Sequence, residues 1–239
     1  MAGLVSLAGK VALVTGAARG QGAAQARLFA ELGAQVIVTD TRETEGADVA
    51  SALGEQGSFD RLNVADAADW ERVVARALDT HGRLDVLVNN AGIYHKAPLA
   101  ETSQELLREL LDVNLLGPIL GMRTVAPWMP DGSAIVNVAS ISGLRGHAGA
   151  IGYASAKWGL RGASRSAARE LAPRVRVNCV CPGAVDTPMI DAATLDLSHL
   201  PLPRAGTVGE VAAVVAFLAC DASAYCTGAE FVVDGGATA

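Results

Sequence analysis

Cysteine is scarce. Four thiols in 239 residues, Cys179, Cys181, Cys220 and Cys226, are too few for a disulfide scaffold in a chain this long, and neither the Cys-x-Cys pair nor the distant pair has zinc-ligand spacing. Reduced, mostly buried thiols follow. Histidine is equally sparse: His81, His95, His147 and His199 stand far apart and form no His-x-x-x-His pattern, so no metal site is expected. Positive charge is in deficit, with 19 Lys and Arg against 25 Asp and Glu for a net charge of -6. The basic residues are scattered without a block, which opposes attraction to nucleic acid or anionic lipid. Long apolar runs are also missing. The stretch "VAAVVAFLAC" (211–220) is far short of the roughly 20 residues that span a bilayer. The first twenty residues have no basic start followed by an apolar run and cleavage site, so no signal peptide is read. A cytoplasmic protein with neither nucleic-acid nor membrane partners is expected.

What is present is an apolar majority, 51% of the chain, enough for one substantial core and a single domain over 1–239. Short β-branched runs recur at 11–15, 35–40, 84–90, 134–140, 174–180 and 230–236, and read as strands buried on both faces. A weaker strand near 59–64 brings the count to about seven. Helical periodicity occupies 21–32, 66–80, 103–124, 152–171 and 208–219. Thr102 with Glu105, and Thr207 with Glu210, fit a capping box. Alternating strands and helices imply an α/β fold, a doubly wound parallel sheet of the Rossmann type with helices on both faces. Ligands of such sheets sit beyond the carboxyl ends of the strands. No linker, repeat or low-complexity segment interrupts the pattern.

Directly after the first strand, "TGAARGQG" places Gly16, Gly20 and Gly22 in a turn leading into a helix. Glycines there allow close backbone approach, and a helix N-terminus favours a pyrophosphate. Glycines also end strands for purely steric reasons. Asp40, at the end of "QVIVTD", stands where a dinucleotide fold wants a carboxylate for the adenosine ribose hydroxyls. A carboxylate there repels the extra phosphate of NADP, so NAD is the expected cofactor. Arg19 and Arg42 argue the other way, because guanidinium forks bind phosphate well.

Taken in order, "TGAARGQG", "NNAG" (89–92), Asn114, Ser140, Tyr153 with Lys157, "PGAVDTPM" (182–189) and "TGAEFVVDGG" (227–236) resemble the short-chain dehydrogenase/reductase family, from about Leu7 to Gly236. Among its subgroups the pattern is most similar to bacterial NAD-dependent 3α/20β-hydroxysteroid dehydrogenases and related secondary-alcohol dehydrogenases. The resemblance implies Asn114, Ser140, Tyr153 and Lys157 as catalytic residues. It implies cofactor contacts from Gly16, Arg19, Gly20, Gln21 and Gly22, from Asp40, Asn63 and Val64, from Asn90, Ala91 and Gly92, and from Tyr153, Lys157, Pro182, Gly183, Val185 and Thr187. Asn63 departs from the aspartate that many members carry near the adenine. The resemblance also implies a homotetramer built through the helix at 152–171 and the one containing Asn114.

Residues four apart on a helix share a face, so Tyr153 and Lys157 can serve one site. An ammonium and an oxidised nicotinamide together are expected to lower the phenol pKa by about three units, about 4 kcal/mol, making Tyr153 the general base. Ser140 would hold the substrate oxygen. By the family resemblance, Lys157 would bind the nicotinamide ribose, and Asn114 would position a water between Lys157 and solvent. Each has an ordinary alternative: a solvated helix face for the pair, a turn cap for Ser140, a satisfied buried carbonyl or helix kink for Asn114. A substrate lid is expected near 188–203. Ile190, Leu195, Leu197 and Leu200 give it an apolar lining, which points to an uncharged or largely hydrophobic alcohol or its ketone. Ile141, Tyr94, His147 and Met189 are the substrate candidates, with Leu144 weaker. His147 reads first as a surface-loop residue and second as a substrate contact, and Cys181 is placed at the site edge without chemistry. Three functions stay open: a dehydrogenase of a secondary alcohol, cyclic and steroidal ones included; a carbonyl or 3-oxoacyl-carrier-protein reductase; and a non-catalytic NAD-binding regulator.

Overall fold

The computed structural model describes residues 5–189 and 195–239. Seven parallel strands form one sheet in the order β3-β2-β1-β4-β5-β6-β7: β1 (Val11–Thr15), β2 (Gln35–Asp40), β3 (Gly57–Arg61), β4 (Val86–Asn89), β5 (Ser133–Val138), β6 (Val175–Pro182) and β7 (Glu230–Val233). The helices are α1 (Gly20–Glu31), α2 (Glu43–Ala52), α3 (Ala67–His81), α4 (Gln104–Leu111), α5 (Gly117–Val125), α6 (Ile151–Leu171) and α7 (Val208–Ala219). No described helix is long and apolar enough to cross a membrane.

Successive strand residues feed opposite layers, as the period of two requires. Ala12, Val14, Val36, Val38, Val86 and Val88 pack with Phe29 of α1 and Val211 and Val215 of α7. Val11, Leu13, Ile37, Leu87, Ile135 and Val177 pack with Trp70 of α3, Met122 of α5 and Ala168 of α6. The order of strands reverses between β1 and β4, which opens a crevice at their carboxyl ends.

Several boundaries differ from the sequence reading. Strand β7 stops at Val233, because Gly235 and Gly236 turn the chain at φ +64° and +87°. The helix expected over 103–124 is two helices joined by a π turn, Asp112–Leu116. Its cap is Ser103, whose hydroxyl accepts from Leu106 N at 3.2 Å, while the Thr102 hydroxyl donates to Pro98 O at 3.0 Å. The Thr102–Glu105 capping box therefore does not form, whereas the one at Thr207–Glu210 does. Helix α2 was not anticipated because Gly46 interrupts its helical signal. A Cβ on Gly46 would lie 2.2 Å from the Phe59 ring of β3, so packing requires the glycine. All four cysteines are free thiols, three of them buried. Cys181 packs with Cys179, Leu160 and Ala139 in the core, away from the site edge where it was expected.

A buried polar chain fixes helix α6 to the sheet. Asn89 Nδ2 donates to Asn137 Oδ1 at 2.8 Å, and Asn137 Nδ2 donates to Ser164 Oγ at 2.8 Å. Ser164 in turn donates to Leu160 O at 2.6 Å within α6. Asn137→Leu keeps the branched outline, at a larger volume, and removes two of these bonds. We expect it to lower unfolding free energy by about 2 kcal/mol, read from the urea midpoint at unchanged m value.

Candidate active site

The crevice begins with the glycine turn. Gly16 and Gly20 adopt left-handed backbone, φ +63° and +57°, which side-chain-bearing residues resist. Gly16 also lies against β4, since a Cβ there would meet Ala91 Cα at 2.7 Å. Helix α1 starts at Gly20 behind an extended Arg19 whose side chain caps nothing, so the first-turn N–H groups remain open to an anion. Asn90 Nδ2 donates to Thr15 O and Gly16 O at 2.9 and 3.1 Å, holding the turn against the end of β4. Gly22 does not line the crevice. Its absent side chain lets α1 start close to the turn: a Cβ would be 2.3 Å from Gly16 O and 2.6 Å from Asn90 Nδ2.

A cleft of about 310 Å³ runs from this turn across the sheet end. Gly16, Arg19, Gly20 and Gln21 border it on one side, and Asp40, Arg42, Asn63 and Val64 lie at one end. Asn90, Ala91 and Gly92 form its opposite wall. Asp40 accepts from Ala18 N at 3.1 Å and Arg42 N at 3.0 Å, one bond to each carboxylate oxygen, which leaves acceptor capacity for a pair of ribose hydroxyls. Asn63 Oδ1 accepts from its own turn at Ala65 N, 3.1 Å. The Gln21 side-chain oxygen is buried with no partner, an open acceptor of the kind a bound ligand satisfies. A dinucleotide fits this donor and acceptor set.

Tyr153 and Lys157 project from α6 into the same cleft. The Lys157 ammonium lies 5.7 Å from the Tyr153 ring centroid and donates to Val138 O at 2.8 Å. Burial pulls the Lys157 pKa down to about 8. Burial also pushes the Tyr153 phenol up to about 12, while a hydrogen bond with Ser140 pulls the other way. That is opposite to the lowering expected from sequence. With the amine turned to a carbonyl, desolvation dominates the phenol in the protein alone. Ser140 fills its ordinary role as well, accepting from Ser142 N at 3.1 Å to cap the turn after β5. Asn114 is fully buried in the π turn. Its amide donates to Ile93 O at 3.0 Å and Leu110 O at 2.9 Å, and its oxygen accepts from Ile93 N at 3.2 Å. A Cβ on Gly92 would lie 2.8 Å from that oxygen and 3.6 Å from the Lys157 ammonium. Asn114 and Lys157 therefore converge on Gly92.

A second cleft of about 590 Å³ continues from the first, with Gln21, Ala139, Tyr153, Thr187 and Met189 bordering both. Pro182, Gly183 and Val185, expected at the cofactor, line this second cleft; Thr187 touches both. The substrate candidates Tyr94, Ile141, His147 and Met189 all line it, and Leu144 does not. His147 is exposed, with Nδ1 2.7 Å from Ser142 Oγ. Of the lid's apolar residues, Leu195 reaches the cleft, Leu197 and Leu200 do not, and Ile190 lies outside the described residues. Sequence reasoning missed Thr15, a buried hydroxyl that accepts from Asn90 N and Ala91 N at 3.0 Å each. Its position just before the glycine turn was the available signal. Lys96 and Arg145, also unanticipated, border the second cleft.

Residues 16–238 match the family model described as enoyl-(acyl carrier protein) reductase. The chain is 38% identical to trans-4-hydroxycyclohexanecarboxylate dehydrogenase of Sinomonas cyclohexanicum, over 98% of this chain and 94% of that protein. It is 42% identical to a 3-alpha-(or 20-beta)-hydroxysteroid dehydrogenase of Mycobacterium tuberculosis, over 98% and 91%. A short-chain dehydrogenase/reductase from Brucella melitensis superposes with a TM-score of 0.94 at 33% identity, covering 97% of this chain and 98% of that one. A blue fluorescent protein from a metagenomic library, in complex with NADPH, gives 0.92 at 37% identity, covering 98% and 100%.

The close fit at Gly22 generates a direct test. Gly22→Ala should weaken nicotinamide dinucleotide binding by about tenfold or more, followed by fluorescence titration, and lower stability by about 1–3 kcal/mol through overpacking.

Proposed function

We propose that this chain, which belongs to the short-chain dehydrogenase/reductase family of oxidoreductases, interconverts a secondary alcohol and its ketone by hydride exchange with NAD. The observation that carries the reading is the placement of Tyr153 at the border shared by both clefts, with Lys157 beside it on α6. One cleft has the glycine turn and open helix end suited to a pyrophosphate; the other has room for a small organic substrate. The two relatives named above act, by their names, on ring alcohols, and cyclic or steroidal alcohols are the first to try.

In oxidation, bound NAD supplies the hydride acceptor at its nicotinamide and a positive charge near the phenol. The protein's residues do the rest. The glycine turn and the α1 N-terminus would hold the pyrophosphate, Asp40 the adenosine ribose and Lys157 the nicotinamide ribose. Ser140 donates to the substrate oxygen and keeps it within reach of Tyr153. The Tyr153 phenolate takes the hydroxyl proton as the carbinol carbon loses hydride; in reduction the phenol returns it. A phenol titrating at about 12 needs about 7 kcal/mol to ionise at pH 7. Lys157, its Nζ 5.7 Å from the ring centroid, and the positive charge that the oxidised cofactor would supply would together oppose that cost. The exposed apolar residues Leu111, Leu116, Ile119, Ile151 and Trp158 lie on the π turn and on α4, α5 and α6, and support assembly into a homotetramer through those helices.

Two readings of the cofactor compete at the adenosine end. Asp40 favours NAD, while Arg19 and Arg42 on the same cleft favour the extra phosphate of NADP. A second reading of the reaction, reduction of the ketone of a 3-oxoacyl chain on acyl carrier protein, is supported by the similarity to proteins named 3-oxoacyl-(acyl-carrier-protein) reductase.

Purified protein, assayed at 340 nm with cyclohexanols, hydroxysteroids and sugar alcohols, should reduce NAD at least about tenfold faster than NADP in kcat/KM. Asp40→Ser should narrow that ratio by about tenfold. A parent enzyme that prefers NADP would overturn the assignment of Asp40.

Tyr153→Phe should retain dinucleotide binding and lose about three orders of magnitude in kcat. Equal turnover in variant and parent removes Tyr153 from the proton transfer.

A further inference from the structure

Two cations outside the catalytic group border the second cleft, Lys96 and Arg145, and no carboxylate lines it among the described residues. This is a positive spot on a chain whose net charge is -6. The two cations come from different parts of the fold, one after β4 and one after β5, and the backbone brings them together. Ala97 N donates to Gly149 O at 2.7 Å, stitching the Lys96 segment to the loop that carries Arg145 and His147. Gly149 takes φ +73°, and a Cβ there would meet Cγ and Cε of Lys96 at 3.3 Å. The missing side chain thus lets the Lys96 stem lie flat on this loop. Arg145 is braced from the other direction, its Nη1 donating to Ala237 O at 3.2 Å. Their joint field is felt at His147: burial lowers its pKa first, and Lys96 and Arg145 lower it further. His147 therefore adds a hydrogen-bonding ring to this spot, its Nδ1 being joined to Ser142 Oγ.

The distance to the chemistry is set by aromatic rings. Tyr94 meets Tyr153 edge-on at 5.1 Å between centroids, and His147 lies 6.0 Å beyond Tyr94. Tyr94 thus packs against both the Tyr153 phenol and the His147 ring of the loop that carries Arg145. Cations placed so in a cleft focus an anion toward it and orient it on arrival.

We infer that the substrate is a hydroxy acid, its carboxylate held by Lys96 and Arg145 and its secondary hydroxyl held by Ser140 and Tyr153 in the same cleft. This deepens the proposed alcohol dehydrogenase reading and rests on it. It also departs from the uncharged substrate that the apolar residues of 190–203 suggested.

The test compares each acid with its own methyl ester. With NAD, 4-hydroxycyclohexylacetate and 3-hydroxybutyrate are assayed against their methyl esters in the parent, Lys96→Gln, Arg145→Gln and the double variant. The parent should favour the ring acid over its ester by about tenfold in kcat/KM, most of it in KM, and 0.5 M salt should shrink that ratio. Each single variant should reduce the ratio by about threefold, and the double variant should bring it to about one. A parent ratio at or below one, or a ratio that survives the double substitution, overturns the inference while leaving the alcohol dehydrogenase reading intact. If no alcohol turns over with either nicotinamide cofactor, the dehydrogenase reading itself fails. Calorimetry of cyclohexanecarboxylate against cyclohexanecarboxamide on the NAD-loaded protein then decides the charge preference without turnover. Tighter carboxylate binding lost in the double variant supports the anion site, and equal binding of the two removes it.

Discussion

The chemistry of this protein depends on how the fork between β1 and β4 is held. At that point the sheet changes direction of build, and two strand ends must separate without exposing unpaired backbone. The Thr15 hydroxyl takes two N–H groups from Asn90 and Ala91 and donates to Val88 O at 3.2 Å. The Asn90 amide returns two bonds to the carbonyls of Thr15 and Gly16. These reciprocal bonds fix the spacing of the fork, and the glycines then let α1 begin inside it. With the backbone polar groups of the fork satisfied by neighbours, the N–H groups left over are those at the start of α1, where an anion is wanted.

The second determinant is an electrostatic conflict on α6. Lys157 and Tyr153 are buried deeply enough that desolvation moves each toward its neutral form. The helix carrying them is fixed by the chain of Asn89, Asn137 and Ser164, so neither side chain relieves the conflict by moving the helix outward. A site arranged in this way is poorly suited to holding a phenolate unaided. Positive charge in the adjoining cleft would offset that cost by Coulomb attraction, which in the proposed reaction would couple proton transfer to cofactor occupancy.

Much of this was legible in the residues. The strands were visible because a sheet covered on both faces demands continuous β-branched runs, and "VALVT" and "QVIVTD" fall on β1 and β2 to the residue. The glycine turn, Asp40, Ser140, Tyr153 and Lys157 could be placed because each follows a strand end or shares a helical face. What stayed hidden depends on partners distant in sequence. Helix α2 contains Gly46 because of Phe59, thirteen positions on. The direction of the phenol's shift depends on how dry its surroundings are, which periodicity cannot report. Lys96 and Arg145 read as scattered surface charges until the Ala97–Gly149 bond brings their segments together.

The π turn at Asp112–Leu116 has a consequence for the helix that follows it. A π turn encloses one residue more than an α turn, and each helical residue advances the side-chain direction by about 100°. Everything in α5 is therefore rotated by roughly a quarter of a revolution from where an unbroken helix would have left it. In the rotated setting Gly121 meets the flat of Trp70, where a Cβ would come within 2.6 Å of the indole, and Met122 and Val125 enter the core. Removing a single residue from this segment would restore regular helical bonding and leave that glycine facing the indole, whereas an unbroken helix of the full length would turn it away. Asn114 thus stands at the pivot that sets which edge of α5 engages the rest of the molecule.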